Sequence, residues 1–280
     1  MEKAPVCGAK ISPDSRYIAA GRDDGNIYIF DLELNLRARL CGHFGPINDV
    51  AWSPDSGFLA SASSDHLIIL WDIHLLKLSS IFKGHLHEVV SVKFSPRGNL
   101  LISTSADETI RTWCVFRGEC IYTLLYHTDT VISADISYDG SLICSGAADG
   151  LVRIWDVWTG NCVKTVETNS KMVTCVRFAP NAKFLVIRNS EGRVLVWDYI
   201  QSECAREYRD EKDMFNRTIE FWGDYLVVCT PDSVNFCHIQ RGIIAGQVAV
   251  QAFTAQVHNG RVLTGGPNGI NWVQLPSLLG

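Results

Sequence analysis

Three histidine–aspartate pairs stand out for the chemistry they could do: His43 with Asp65, His85 with Asp107, and His127 with Asp149. Imidazole and carboxylate together can ligate a metal ion or act as a catalytic acid–base couple. Ten cysteines add potential ligands and nucleophiles, but they are spread from Cys7 to Cys237 and form no C-x-x-C pair. Cys7, Cys144, Cys175 and Cys229 sit in apolar runs, where a free thiol behaves as a small hydrophobe in a reducing compartment. The nucleotide-binding, hydrolase and zinc-protease signatures are missing from the sequence.

The spacing of the pairs decides between these readings. Each histidine lies 22 residues before its aspartate, and successive pairs are 42 residues apart. Trp71, Trp113, Trp155 and Trp197 keep the same interval, and each follows an acidic residue six positions earlier, Asp65, Asp107, Asp149 and Glu191. Phe30 precedes this series, and Phe236 and Trp272 follow it. Ser61, Ser103 and Ser145 stand ten residues before their tryptophans. A fixed period of this length marks a stack of small units. Each pair therefore sits in its own unit, too far from the next to share a metal with bonds of about 2 Å. The pairs read as one structural hydrogen-bonded network per unit, with no metal, cofactor or catalytic role.

Within a unit the chain reads as short strands. Ile47 to Trp52 alternates, Ser53-Pro-Asp-Ser-Gly57 is a turn, and Phe58 to Ser63 and Leu67 to Trp71 are further strands, with a fourth at Leu78 to Phe82. Four strands per unit with Gly42-His43 and Trp71-Asp72 markers resemble WD40 repeats, whose units stack radially as β-propeller blades. In that family His, Asp, Ser and Trp form the network inside each blade. The fold expected is all-β: a seven-bladed WD40 β-propeller forming one domain over residues 1–280. Blade five carries Asn169 and Glu191 in place of His and Asp, and Thr230 and Gly266 stand at the acidic position of blades six and seven. The first repeat begins at Val6 and only Pro-Ser-Leu-Leu-Gly follows Leu275, so the last blade is expected to have three strands. Its edge would be solvated or would take a partner's strand.

Composition narrows the function. Hydrophobic residues are 47% and charged residues 20%, which permits a large core and excludes general disorder. A net charge of −5 argues against holding nucleic acid by bulk electrostatics. The basic stretch from Arg206 to Lys212 is balanced by Glu207, Asp210 and Glu211 and reads as a solvated loop. No segment approaches the roughly 18 apolar residues of a membrane span. A soluble, intracellular, non-enzymatic binding protein is expected.

Several phrases are more specific: Gly42-His-Phe-Gly-Pro-Ile-Asn-Asp-Val-Ala-Trp-Ser-Pro-Asp55, Ser105-Ala-Asp-Glu-Thr-Ile-Arg111 and Asp149-Gly-Leu-Val-Arg-Ile-Trp155. With them the chain resembles the WD-repeat subunit of the COMPASS (Set1/MLL) complexes, in its fungal form, over residues 6 to about 200. The resemblance implies a nuclear scaffold for a SET-domain methyltransferase acting on lysine four of histone H3, with companion subunits and the histone H3 tail as partners. It implies a central pocket for an arginine side chain at Asn48, Ser64, Val90 and Ala106, continuing through Ile132 and Thr174 to Phe215. Val90 and Thr218 stand where animal members carry the two phenylalanines that sandwich the guanidinium, so only Phe215 keeps an aromatic ring. A second surface, a peptide groove, falls on Asn181, Phe184, Val196 and Phe221.

The residues themselves suggest a third surface. Phe116, Trp158 and Ile200 lie three positions past their marker in the turn leaving the third strand, with Leu75, Leu76 and Tyr199 nearby. Apolar side chains on four successive turns predict a contiguous patch for a docking partner. The alternative to a chromatin scaffold is a cytoplasmic or nuclear propeller subunit of a vesicle coat, nuclear pore or RNA-processing complex.

Overall fold

Alternating apolar residues and a hydroxyl-rich turn make each unit an antiparallel meander, seen plainly in blade two. Its strands are Ile47–Trp52, Phe58–Ser63, Ile68–Asp72 and Lys77–Phe82, paired in that order. The first turn is held by side chains: Ser53 Oγ accepts the Phe58 N–H at 2.8 Å, and Asp55 Oδ1 accepts that of Gly57 at 3.1 Å. The same turn position holds Ser15, Ser56, Gly98 and Gly140, each with φ between 59° and 75°. Glycine adopts that conformation without strain, and serine occupies it at some cost.

The computed structural model describes residues 6–180, 183–209, 219–223, 225–229, 232–239, 243–267 and 269–275. These form 27 strands in seven sheets and no helix. Six sheets have four strands and the last has three, Thr254–His258, Arg261–Gly266 and Gly269–Gln274. The result is the seven-bladed all-β propeller expected from the repeat. First strands surround a central channel and fourth strands form the perimeter. The upper face carries the loops from each fourth strand to the next first strand, together with the second-to-third turns. The lower face carries the other two turns of each blade.

The core lies between blades rather than within them. Seven apolar clusters fill seven interfaces: Trp71 packs with Ile27, Ile29 and Leu40 of blade one, and Trp113 with Ile68, Leu70 and Phe82 of blade two. The ring closes where Val6, Ile11 and Phe30 of blade one meet Leu263 of blade seven, with Trp272 packed against them. Across this seam Gln256 Oε1 accepts the Ile11 N–H at 2.8 Å, and the Trp272 indole donates to the Leu32 carbonyl at 2.9 Å.

Two expectations need correction. Phe236 and Trp272 do lie on third strands, but one residue out of step with the tryptophans. Trp71 pairs with Leu59, the second residue of its neighbouring strand; at the equivalent register Leu226 pairs with Cys237 and Val262 with Val273. A one-residue shift sends a side chain to the opposite face of a strand. Cys237 accordingly packs toward blade five, whereas Phe236 packs toward blade seven and Trp272 toward blade one. The stretch from Arg206 is also no loop as far as it is described: Glu203–Arg209 is the fourth strand of blade five. A perimeter strand exposes most of its side chains, so it tolerates charge; Arg193 lies 3.6 Å from Glu207 across the pair of strands.

Candidate interaction surfaces

In blades two to four the His–Asp pairs are closed into chains. His43 Nδ1 bonds Asp65 Oδ2 at 2.8 Å and Nε2 bonds Ser61 Oγ at 2.8 Å, while the Trp71 indole donates to Ser61 Oγ at 2.8 Å. His85, Asp107, Ser103 and Trp113 repeat this geometry, as do His127, Asp149, Ser145 and Trp155. Burial would raise the Asp65 and Asp107 carboxyls, but hydrogen bonds from the histidines and from the Phe44 and Leu86 N–H groups hold both below the usual carboxylate range. Burial pushes the His127 imidazole below its ordinary value, although Asp149 opposes the shift. Both ring nitrogens of each histidine are occupied, and no group of three or more potential metal ligands exists among the described residues.

Blade five has lost the chain. Asn169 replaces the histidine, Ile187 the serine and Glu191 the aspartate, and the Trp197 indole N–H is buried with no partner among the described residues. Beside this gap a shallow depression of about 460 Å³ runs along Glu167 to Lys171 and Glu191.

The positions implied for an arginine pocket fall around the upper end of the channel. Asn48, Val90, Ile132 and Thr174 each take the second place of a first strand, in blades two to five. Ser64 and Ala106 open the second-to-third turns on the same face, bonded to the Pro46 and Glu88 carbonyls at 3.0 Å. Asn48 Nδ2 is spent on Ser64 Oγ and the Val89 carbonyl, at 3.1 and 2.8 Å. Ile132 and Thr174 are buried. None of these six is aromatic, so this part of the rim offers a guanidinium no ring face. Phe215 and Thr218 lie outside the described residues, as does Asn181 of the implied groove. The other groove positions come together in the interface between blades five and six: Val196 is buried, with Phe184 and Phe221 packed on the same cluster.

The turn residues behave differently. Leu75 is 60% exposed, Phe116 86%, Trp158 66% and Ile200 69%, all on the lower face, with Leu76 exposed beside Leu75. Tyr199 is the exception, half-buried against Phe178 with ring centroids 5.8 Å apart. The sequence reading missed Tyr138, exposed in the first turn of blade four on the same face; it follows Ser137 in a turn whose other members are Asp139, Gly140 and Ser141. Near Leu76, a groove of about 640 Å³ between blades one and two is lined by Arg16, Tyr17, Glu33 and Ile73. An exposed indole and phenyl ring in turns pinned by Asp156 and by the Cys114 carbonyl present apolar area with little freedom to lose.

Compared with known families, residues 5–233 match the sequence model of the IFT122 first β-propeller. Curated relatives include protein HIR1 of Kluyveromyces lactis, 34% identical over 84 residues, covering 24% of this chain and 10% of that protein. WD repeat-containing protein 1 of Mus musculus is 35% identical over 77 residues, covering 26% and 13%. Protein HIRA of Dictyostelium discoideum is 33% identical over 85 residues, covering 26% and 8%. Each match thus spans only a small part of the relative's length. These similarities support the WD40 propeller and lend nothing to the narrower likeness to the COMPASS subunit.

Proposed function

The chain belongs to the IFT122 first β-propeller family of WD40 propellers, and from that premise we propose that it is a non-enzymatic scaffold whose lower face docks a partner protein. The observation that carries this reading is the row of exposed Leu75, Phe116, Trp158 and Ile200 on the turns of blades two to five. Scattered apolar residues on a surface need no explanation, but exposed apolar side chains on the equivalent turns of four successive blades recur along one face, and surfaces of that kind mark interaction sites. Aromatic residues at the centre of this row fit the composition of binding hot spots.

Membership of a histone H3 lysine-four methyltransferase complex in the nucleus is the finer reading, and it has weaker support. It rests on the quoted repeat phrases, and the rim positions that would hold arginine are Asn48, Val90, Ala106 and Ile132. A partner on the lower face is compatible with that complex and equally with a coat, pore or RNA-processing assembly. Affinity purification of the full chain from its source cell, beside the double variant Phe116→Ala, Trp158→Ala, tests the proposal. The double variant is expected to lose nearly all of the main partner, since two central aromatics at about 2 kcal/mol each would weaken binding by roughly a thousandfold. Unchanged recovery would remove the lower face from consideration. Recovery of a SET-domain protein would establish the finer reading; its absence beside a different, stoichiometric partner would discard it.

A further inference from the structure

The first strands carry a set of charges that no repeat marker announces. Lys10, Lys93, Asp135 and Arg177 take the fifth place of the first strand in blades one, three, four and five, with Ala51 at that place in blade two. Their strand neighbours Ala9, Val50, Val92, Ala134 and Val176 are buried against the preceding blade, so the fifth-place side chains leave the opposite face of the strand, where Ala51 joins the cluster between blades two and three. The longer Lys10 side chain reaches Glu220 two blades away, across the channel. Asp49 and Glu220 join them from blades two and six. Lys10, Lys93 and Arg177, from three different blades, all act on Glu220 and hold its carboxyl down at about 2 against the burial that would raise it. Charges on non-adjacent blades can do this only by converging in the lumen.

The partners are unevenly distributed. Glu220 is paired with Lys10. Asp49 accepts from Ser91 Oγ at 2.9 Å and from the Val92 N–H at 3.2 Å, and Asp135 accepts the Phe178 N–H at 3.0 Å. Arg177 Nη1 donates to Ser133 Oγ and to the Ala134 and Val176 carbonyls, at 3.2 to 3.4 Å. Lys93 makes no hydrogen bond or ion pair among the described residues, although an ammonium carries three donors. Burial, with the Arg177 and Lys10 charges beside it, pushes this ammonium below the usual lysine range. Lys93 stands two residues before the first turn of blade three, whose Ser95 N–H bonds the Leu100 carbonyl, and so lies toward the lower mouth.

We propose that the lower mouth of the channel admits a single carboxylate side chain, aspartate or glutamate, from a docked protein segment, and that Lys93 is its ion-pair partner. This deepens the lower-face docking reading and rests on it for the partner. A carboxylate would meet the free donors of Lys93 with Lys10 and Arg177 nearby. A guanidinium has no acceptor for those donors and would place like charge beside Lys93, the reverse of the arginine pocket implied by the COMPASS resemblance. A dianion such as phosphate would face Asp49, Asp135 and Glu220 with twice the charge, so the lumen favours a monoanion.

Acylation of the full chain by acetic anhydride, read at Lys93 by mass spectrometry, tests this without a known partner. The probes are the blocked peptide Gly-Gly-Glu-Gly-Gly, its Gln and Arg counterparts, and inorganic phosphate. The Glu peptide at saturation is expected to slow Lys93 acylation about tenfold while the Gln and Arg peptides leave it unchanged, as for a buried charge pair. By calorimetry, Lys93→Met, which keeps the aliphatic stem, is expected to lose the heat of Glu-peptide binding with its melting temperature unchanged or raised. Equal protection by the Gln peptide, stronger protection by phosphate, or full Glu-peptide binding by Lys93→Met would overturn the proposal. Failure of the Phe116, Trp158 variant to lose its partner would instead count against lower-face docking, and leaves the Lys93 result to stand or fall by itself.

Discussion

At the scale of single residues, the histidines and aspartates that first suggested catalysis are consumed by structure. A Trp indole, Ser hydroxyl, His imidazole and Asp carboxylate satisfy one another where leaving any one of them unpaired would cost about 1–3 kcal/mol. Their titration makes stability depend on pH with a definite sign. His127 has its folded value below the ordinary 6.5, so the unfolded chain takes up the proton first and stability falls as pH drops through 6.5. Asp65 and Asp107 have folded values below 3.8, so their contribution is present above 3.8 and is lost as pH falls beneath it. Calorimetric melting temperatures between pH 8 and pH 3 are therefore expected to decline in two stages, a shallow one below pH 6.5 and a steep one below pH 4. A flat profile from pH 8 to pH 5 would show that burial does not disfavour the charged imidazole of His127.

At the scale of the blade, repetition offers its own control, because blade five keeps the strands while lacking the network. Ile187 fills the serine site with hydrocarbon and leaves the Trp197 indole without an acceptor among the described residues. Ile187→Ser alone removes buried hydrocarbon and supplies a hydroxyl with no histidine behind it, so a loss of roughly 1–3 kcal/mol is expected. Adding Asn169→His and Glu191→Asp completes the chain and is expected to recover that loss, with a coupling energy of about 1–3 kcal/mol between the three changes. Urea denaturation of the single, double and triple variants measures it; simple additivity would mean that the network contributes nothing as a unit. The comparison also shows what could be read in the sequence. Blades two to four announced themselves because a hydrogen-bonded network demands fixed residue types at fixed spacing, and blades one and five kept the acidic and aromatic markers of that spacing, Asp24 with Phe30 and Glu191 with Trp197. Blades six and seven lack the network, so an aromatic could move by one residue to the opposite face, as Phe236 and Trp272 do, and still look in phase. The strand at Glu203–Arg209 was misread for a related reason: a perimeter strand faces water on most sides and loses the apolar alternation that identifies inner strands.

At the scale of the whole ring, neither the channel charges nor the closing seam had a linear signal. Lys10, Lys93, Arg177 and Glu220 each occur once, in different blades, and become one constellation only when the ring brings the first strands together. The row on the lower face was visible because equivalent turns repeat it, yet only exposure separates Ile200 from its half-buried neighbour Tyr199. The seam follows the same logic. Among the described residues no strand of one terminal blade pairs with the other, so closure depends on side chains: the Leu263 cluster, the Ile11–Gln256 bond and the Trp272 indole on Leu32. Trp272→Ala removes both packing and a hydrogen bond at that single interface, a loss of roughly 2–4 kcal/mol for a partly buried tryptophan. Trp158→Ala, at an exposed turn, is expected to change stability by less than about 0.5 kcal/mol. In the Trp272 variant the energy is withdrawn from one seam, so amide hydrogen exchange should rise in blades one and seven, beginning at the Ile11 N–H, while blades three and four keep their protection. Uniform acceleration around the ring would mean instead that the seven blades open only together, and that no interface, including this one, is weaker than the rest.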